Sequence, residues 1–287
     1  GDVKNQGVEF SLNYAAISNK NFKWTIDLNG TSYKNRITKL PQAEINSGVF
    51  KWREGESRYN FWGIEYAGVN PETGNDQYWK TIYETNDKGE KVVKERVKTE
   101  NYNEVTSDSQ QKYLGDAIPK LFGGFTNNFS YKGIDLSFMI YYSIGGKLYD
   151  SDYAQSMYYR RGYSMHPDML DSWTPENPNG TMPALVDSNT DMDAYFFLDG
   201  AVNPYAYSSL WVKKQNYMRI QSIRLGYELP FSLIQKLGIS QATVALEGRN
   251  LFVFGSSYRN YLDPETMGNP YAQPIPKSFT FSLNLNF

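Results

Sequence analysis

The sequence has 287 residues, a formal net charge of −2 and no cysteine. Near-balanced charge argues against a nucleic-acid-binding protein, because such proteins usually carry a basic excess. The lack of cysteine excludes disulfide frameworks, cysteine-ligated zinc, iron–sulfur clusters and cysteine nucleophiles. His166 is the single histidine, so a site built from several histidines is impossible and a Ser-His-Asp triad would depend on this residue.

Aromatic residues make up 16% of the chain, yet its mean hydropathy is −0.60. This combination indicates a β-rich protein with large polar surfaces. No segment of the sequence approaches the roughly 18 apolar residues of a membrane helix. A strand of a membrane β-barrel needs apolar side chains only at alternate positions, so a barrel stays open.

The chain begins at Gly1 with neither an initiator methionine nor a signal segment. We therefore expect a processed chain or a piece of a longer protein.

Apolar and polar residues alternate in six segments, and successive side chains of a strand point to opposite faces. Each segment therefore predicts a strand with one apolar and one polar face. Charged residues such as Glu9, Asp27 and Arg224 all fall on the polar face, which would line the lumen of a barrel. The longest runs have roughly 9–11 residues, which suits a tilted strand that crosses a bilayer. The segments are 8–16, 22–29, 134–144, 223–229, 242–247 and 279–287.

Connections of two kinds alternate along the chain. The short ones are residues 18–21, 132–133 and 230–240. The long ones are residues 84–120, 147–215 and 255–276. This alternation is typical of outer-membrane barrels, which have short periplasmic turns and long extracellular loops.

Strand parity requires an even number of further strands between residues 37 and 121, and we assign two of them to 58–66 and 77–83. The prediction is an all-β fold of about nine antiparallel strands in a transmembrane β-barrel. Nine strands do not close a bacterial barrel, because single-chain bacterial barrels have even strand counts and an open one exposes its edges to lipid. We therefore expect the C-terminal part of a larger plugged barrel of about 22 strands.

The last strand ends on Phe287, whose aromatic ring closes an alternation of phenylalanine and leucine with small polar residues. Outer-membrane barrels commonly end in this way, because the terminal aromatic residue belongs to the signal that the assembly machinery reads. We assign Phe287 that role.

Six segments, in family order, resemble the C-terminal part of SusC/RagA-type TonB-dependent outer-membrane transporters of Bacteroidota. One motif alone would be weak evidence, but six in order are strong. The segments are 63–74 (GIEYAGVNPETG), 118–133 (IPKLFGGFTNNFSYKG), 173–178 (WTPENP), 217–230 (YMRIQSIRLGYELP), 248–252 (GRNLF) with 263–265 (DPE), and the strand that ends at Phe287.

The resemblance implies active import of oligosaccharides or oligopeptides across the outer membrane. It implies as partners a SusD-like surface lipoprotein that acts as a lid, a TonB complex that contacts segments outside this sequence, and the lipid bilayer. It also implies dimers of transporter–lid pairs, and neither enzyme activity nor a cofactor or metal. Residues 1–287 would be the C-terminal part of the barrel, with the plug domain and the N-terminal strands absent.

The long loop 147–215 is rich in aromatic residues. Such rings stack on sugar faces, and tyrosine and tryptophan keep a polar tip. We therefore take six of them as candidate contacts for substrate or lid. The alternatives are that they pack the loop onto itself or form part of the membrane-interface girdle. The six candidates are Tyr153, Tyr158, Tyr159, Trp173, Tyr195 and Trp211.

Three other segments carry weaker signals. Residues 187–193 alternate oxygen-bearing side chains as a calcium loop does, but Met192 stands where that loop needs glycine, so a solvated polar loop fits better. Residues 263–265 offer two carboxylates for acid–base chemistry, yet they match a loop motif, which favours a turn. No nucleophile motif surrounds His166.

Two other functions compete with import. An outer-membrane barrel enzyme would need a His/Asp/Ser constellation, which a single histidine without a motif does not support. A soluble β-sandwich that binds carbohydrate would have shorter strands and need no detergent.

Overall fold

The computed structural model describes residues 1–157, 164–185, 208–255, 263–266 and 272–287. Seven long strands in this part of the chain form one antiparallel sheet, in which each strand pairs with the next. In order across the sheet they are β1 (Asp2–Ser18), β2 (Phe22–Lys39), β10 (Leu121–Tyr131), β11 (Ile134–Tyr149), β12 (Val212–Glu228), β13 (Gln241–Phe254) and β14 (Ser278–Asn286). The prediction of an all-β antiparallel fold is confirmed.

The connection between β2 and β10 carries two smaller sheets. β3 (Glu44–Ser47), β4 (Phe50–Arg53), β5 (Asn60–Gly63) and β9 (Lys112–Asp116) form the first. β6 (Tyr66–Val69), β7 (Asp76–Thr85) and β8 (Lys91–Thr99) form the second. The described helices are all short: α1 (Ser151–Ser156), α2 (Phe231–Ile234) and the 3₁₀ segments Tyr102–Val105, Pro167–Asp171 and Gln235–Leu237.

The assignment of 58–66 and 77–83 to the barrel wall is wrong. β2 pairs directly with β10, with Leu28 opposite Phe125. Strands β3 to β6 have four residues each and are too short to cross a bilayer. β7 is longer, but it pairs with β8, which carries charge on both faces. The wall therefore has seven strands in the described residues. The parity condition still holds, because zero is an even number.

The connections of the large sheet separate by length onto its two ends. The three long ones, 40–120, 150–211 and 255–277, leave at what we call the loop end. The short ones lie at the opposite turn end. The tightest is the two-residue turn of Lys132 and Gly133, whose φ angles of 48° and 83° fit the hairpin turn that matches the twist of antiparallel strands.

The strand register aligns side chains into rows that cross the whole sheet. One row is apolar on every strand: Ile17, Trp24, Phe129, Leu136, Leu225, Leu246 and Phe281. The next row faces the opposite side and is polar or small: Ala15, Thr25, Asn128, Ser137, Arg224, Glu247 and Thr280. We call these two sides the apolar face and the polar face. The predicted alternation is thus present in the fold, strand against strand.

The apolar face is exposed and has the height of a membrane core. Leu225 and Phe281 are 51% and 72% exposed. The outermost apolar positions on β12, Tyr227 and Met218, are roughly 30 Å apart along the strand. With the tilt of about 40° typical of barrel strands, the height is roughly 23 Å, close to the apolar band of outer-membrane barrels.

Two glycines permit a close approach near the loop end. Gly30 on β2 and Gly123 on β10 lie opposite each other, and Tyr142 reaches across them so that its hydroxyl donates to the Asn29 carbonyl at 2.7 Å. A Cβ atom on Gly123 would overlap the Asn29 carbonyl oxygen. A Cβ atom on the adjacent Gly124 would meet only side-chain atoms, the nearest at 3.3 Å.

We predict that Gly123→Ala lowers the free energy of unfolding by about 1–3 kcal/mol, because the backbone around Asn29 has to shift. Gly124→Ala should change it by less than about 1 kcal/mol, because flexible side chains can move aside. The measurement is denaturant unfolding, in detergent, of the protein that contains this chain. Equal losses in the two variants would contradict the close packing of Gly123 against β2.

Candidate functional site in the loop layer

The main buried core of this chain lies in the long connections and not in the large sheet. It contains nine buried residues: Ile64, Tyr78, Val105, Tyr153, Ala154, Met157, Met169, Met182 and Trp211. They come from residues 40–120, 150–157, 164–185 and 208–211, which together we call the loop layer. The sheet exposes most of its apolar side chains on one face, so the larger of the two buried apolar clusters in the described residues lies in the loop layer.

Hydrogen bonds join two long connections into this one layer. The Ser209 amide donates to the Ile64 carbonyl at 2.8 Å, and the Ala184 amide donates to the Gly74 carbonyl at 2.9 Å. The Trp173 indole donates to the carbonyl of Pro71 at 2.9 Å. The segments 63–74 and 173–178, which both carry the family resemblance, are therefore neighbours in space.

Gly74 is required at this junction for two reasons. Its φ of 75° lies in the left-handed region that favours glycine, and a Cβ atom would come within 2.6 Å of ring atoms of Trp173. Gly74, which ends the first segment, therefore has to be glycine because Trp173, which begins the second, packs against it.

Two of the six candidate contact residues are buried in the loop layer. Tyr153 and Trp211 are each 1% exposed, and their ring centroids lie 5.8 Å apart at an interplanar angle of 70°. The Tyr153 hydroxyl donates to Asp168 at 2.8 Å. Neither ring is accessible to a ligand in this structure, so the two residues support the layer from within. Their burial fits the alternative in which the aromatic residues of the loop pack the loop onto itself.

The other candidates have different positions. Trp173 is partly exposed beside the junction of the two connections. Tyr158, Tyr159 and Tyr195 lie outside the described residues, as does the segment 187–193 that resembles a calcium loop. Phe287 is 85% exposed, at the turn end. Substrate or lid contact by these residues stays a prediction.

His166 has a structural place in the loop layer. Its Nδ1 accepts a hydrogen bond from the Asp168 amide at 3.1 Å and so caps the 3₁₀ segment Pro167–Asp171. Its ring packs edge-on against Tyr153 with 4.8 Å between centroids. These contacts give the single histidine a structural role.

The structure reveals a charged cluster on the polar face that sequence reasoning missed. Arg219 on β12 is 1% exposed and donates to both Asp263 and Glu265, with 2.7 Å between its Nε and the Glu265 carboxylate. Gln215 donates to the Pro264 carbonyl at 2.6 Å. Both carboxylates of the 263–265 segment thus neutralise a buried guanidinium, which holds this segment to the wall.

A signal for this cluster was present in the sequence. Arg219 and the 263–265 segment both fall in motifs of the family resemblance. Simple alternation from Ile223 would place Arg219 on the apolar face. The irregular pairing between Ile220 and Ser222 puts its side chain on the polar face instead.

A buried carboxylate lies in the core of the loop layer. Asp76 is 1% exposed, and one of its oxygens accepts a hydrogen bond from the Tyr66 hydroxyl at 2.8 Å. Its Oδ2 is buried without a hydrogen-bond partner in the described part of the chain. Burial raises the pKa of Asp76 from 3.8 to about 7, although the Tyr66 hydrogen bond opposes the shift.

Within the described ranges, no group of three or more His, Asp or Glu residues is placed to hold a metal ion. No helix in the same residues is long and apolar enough to cross a membrane.

We predict that Arg219→Met lowers the free energy of unfolding by about 3 kcal/mol, because it leaves buried Asp263 without its counter-ion. The matched control is Arg249→Met, which removes an exposed pair with Glu247 and should leave stability unchanged. Denaturant unfolding, in detergent, of the protein that contains this chain compares the two. Equal effects would contradict a holding role for Arg219.

The stability of the loop layer should depend on pH through Asp76. The folded-state pKa of Asp76 lies above its unfolded value, so folding favours the protonated form and its stability contribution falls as pH rises from about 4 to 7. The total is roughly 4 kcal/mol at most. Amides of residues 64–78 should be better protected at pH 5 than at pH 8 in hydrogen exchange corrected for intrinsic rates. Asp76→Asn should remove this difference, and a difference that persists in the variant would contradict the assignment.

No protein-family model matches the chain. The chain is 28% identical over 312 aligned residues to a TonB-dependent receptor of Formosa agariphila and 26% identical over 297 residues to the TonB-dependent receptor SusC of Bacteroides thetaiotaomicron. Both alignments cover 100% of this chain. The chain spans only 29% and 26% of the lengths of these two relatives.

Solved structures agree with the sequence relatives on the fold. The structure of the RagAB peptide transporter matches with a TM-score of 0.78 at 24% identity, over 99% of this chain and 29% of that one. The RagAB peptide importer in its "open-open" state matches with a TM-score of 0.73 over the same share of each. Sequence and fold together confirm, over the whole length of the chain, the predicted resemblance to SusC/RagA-type TonB-dependent receptors.

Proposed function

We propose that this chain forms part of the wall and the extracellular loops of an outer-membrane β-barrel that imports oligosaccharides or oligopeptides with energy from TonB. The observation that carries the proposal is the similarity of the entire chain to TonB-dependent receptors, SusC among them. The likeness to RagAB supports the fold. The chain supplies wall and loops; a plug and the TonB-contacting segment would come from the rest of the receptor.

The exposed apolar face supports a place in a membrane. Apolar rows run across all seven strands, and Leu246 and Phe279 are 54% and 72% exposed. A soluble β-sandwich would cover such a face with a second sheet. In the described residues, the smaller sheets belong instead to the loop layer. The carbohydrate-binding sandwich is therefore the weaker reading.

The polar face suits a water-filled, plugged lumen. Charge is tolerated on the lumen side of a barrel wall, and in this sheet Arg224 lies directly opposite Glu247. The Arg219 cluster holds the 263–265 segment against the same face. A segment held against the polar face would lie inside the lumen, where it would narrow the passage for a cargo molecule.

The loop layer is the region that we assign to cargo and lid. It stands at the end from which all long connections leave, which is extracellular in outer-membrane barrels. Its buried interior, with Tyr153 and Trp211, would hold partly exposed aromatic residues such as Trp173 in place. A SusD-like lipoprotein would close over this layer, and dimers of transporter–lid pairs would be the complete assembly. We propose no catalytic step, and Phe287 keeps its proposed role as an assembly signal.

The test is uptake by a Bacteroidota strain that depends on the full-length receptor. Fluorescent oligosaccharides and oligopeptides are offered separately, with a monosaccharide that passes through porins as the control. We expect uptake of one oligomer class, and its loss when the receptor is deleted or when a protonophore removes the energy source. Monosaccharide uptake should stay unchanged.

Two results would contradict the proposal. One is recovery of the receptor outside the outer-membrane fraction. The other is oligomer uptake that continues at the same rate without the receptor or without energy.

A further inference from the structure

A basic groove lies at the loop end of the sheet, between its strands β2, β11 and β12 and the small sheet that contains β9. Its volume is about 890 Å³. Four lysines line it: Lys34, Lys120, Lys147 and Lys214. We call it the lysine groove.

The strand register places three of the four lysines on the side of the apolar face. Lys34 is six residues from Leu28, so the two side chains leave β2 on the same face. Lys147 on β11 lies directly opposite Lys214 on β12. Lys214 is likewise four residues from Met218, which is 50% exposed on the apolar face. Lys34, Lys147 and Lys214 therefore lie on the side of the apolar face, beyond the apolar band at the loop end.

The described residues neutralise the positive charge of the groove only in part. Lys34, Lys120 and Lys214 are exposed, and none of them forms an ion pair with a described residue. The amine of Lys147 donates to the carbonyl of Leu114.

Two acids also line the groove, and each already accepts a hydrogen bond. Glu56 accepts from the Asn60 side chain at 3.2 Å, and Asp116 accepts from the Ile118 amide at 2.9 Å. Four lysines against these two acids leave a net charge of +2.

The depth of the groove matches the headgroup layer. From Met218 to Lys214 the strand advances roughly 13 Å, or roughly 10 Å in height with a typical barrel tilt. Polar headgroups occupy about 5–8 Å on each side of the hydrocarbon core, and lysine amines extend to reach charge at that level. Apolar side chains for acyl chains lie directly below, where Ile144 is 47% exposed.

We infer that the lysine groove binds the phosphate groups of an anionic lipid of the outer leaflet. The inference rests on the proposed placement in the outer membrane. Several ammonium groups without an ion-pair partner are suited to bind a phosphate group. We take a lipid as the source of the phosphate because the groove lies above the apolar band, where a lipid headgroup and its acyl chains can both be bound. A free anion on its way through the barrel would instead pass along the polar face.

The test uses the full-length receptor purified in detergent and native mass spectrometry of bound lipid. The probes are diphosphorylated lipid A, the same glycolipid without phosphates, and inorganic phosphate. One variant is Lys34→Gln/Lys120→Gln/Lys214→Gln. The control is Lys88→Gln/Lys94→Gln/Lys236→Gln, which removes the same charge from exposed positions outside the groove.

We expect the groove variant to bind diphosphorylated lipid A at least tenfold more weakly, because each lysine near an anionic surface contributes roughly fivefold in affinity. The control should bind like the wild type, and Lys34→Arg/Lys120→Arg/Lys214→Arg should retain binding. An unchanged thermal unfolding temperature would show that the groove variant is folded. If it is not, the arginine variant and the three probes still decide the outcome.

Three results would overturn the inference: undiminished lipid A binding by the folded groove variant, equal binding of the glycolipid without phosphates, and equally tight binding of inorganic phosphate. The last result would identify a site for free anions. Because lipid binding is read in detergent, its failure is distinct from failure of the proposed function, which uptake and membrane fractionation report.

Discussion

Backbone hydrogen bonds between seven long strands are the interaction on which the rest of this structure depends. A bilayer has no water to satisfy backbone N–H and C=O groups, so a strand that crosses it must be paired along its length. Continuous pairing fixes the register, and the register sorts every side chain onto the apolar or the polar face. Leu225 opposite Leu246 and Arg224 opposite Glu247 are two products of the same ladder.

Asn127 shows what a polar side chain on the apolar face requires. It lies opposite Ile26 and Phe138 but is only 3% exposed. Trp24 donates its indole N–H to the Asn127 oxygen at 2.9 Å and stacks on Phe129 with 5.5 Å between ring centroids. Neighbouring rings thus cover the amide, although its nitrogen has no partner among the described residues.

The wall and the loop layer are stabilised by different interactions. The wall presents apolar side chains to its surroundings and is held by its ladder, whereas the loop layer buries its own apolar core. Contacts such as Ser209 to Ile64 join connections that are far apart in sequence. Tyr153 and Trp211 lie in this interior, away from the exposed positions of the loop layer.

Sequence periodicity predicted the strands of the wall because alternation is a local property of each strand. It failed between residues 40 and 120, where strands of four residues are too short to show a period and two longer ones pair outside the wall. The burial of Tyr153 could not be predicted from periodicity either, because it depends on contacts between separate connections. The pairing of Arg219 with Asp263 joins positions 44 residues apart, and no local pattern encodes it.

The central claim is that the apolar face of the seven-stranded sheet meets lipid. The chain has no cysteine, so single cysteines at residues 222–228 of β12 give unique spin-label sites within it. In outer-membrane vesicles that contain the full-length receptor, accessibility to oxygen should peak at Ile223, Leu225 and Tyr227. Accessibility to a water-soluble nickel complex should be low at these three sites. Accessibility without a period of two, or with the reverse phase, would contradict the account.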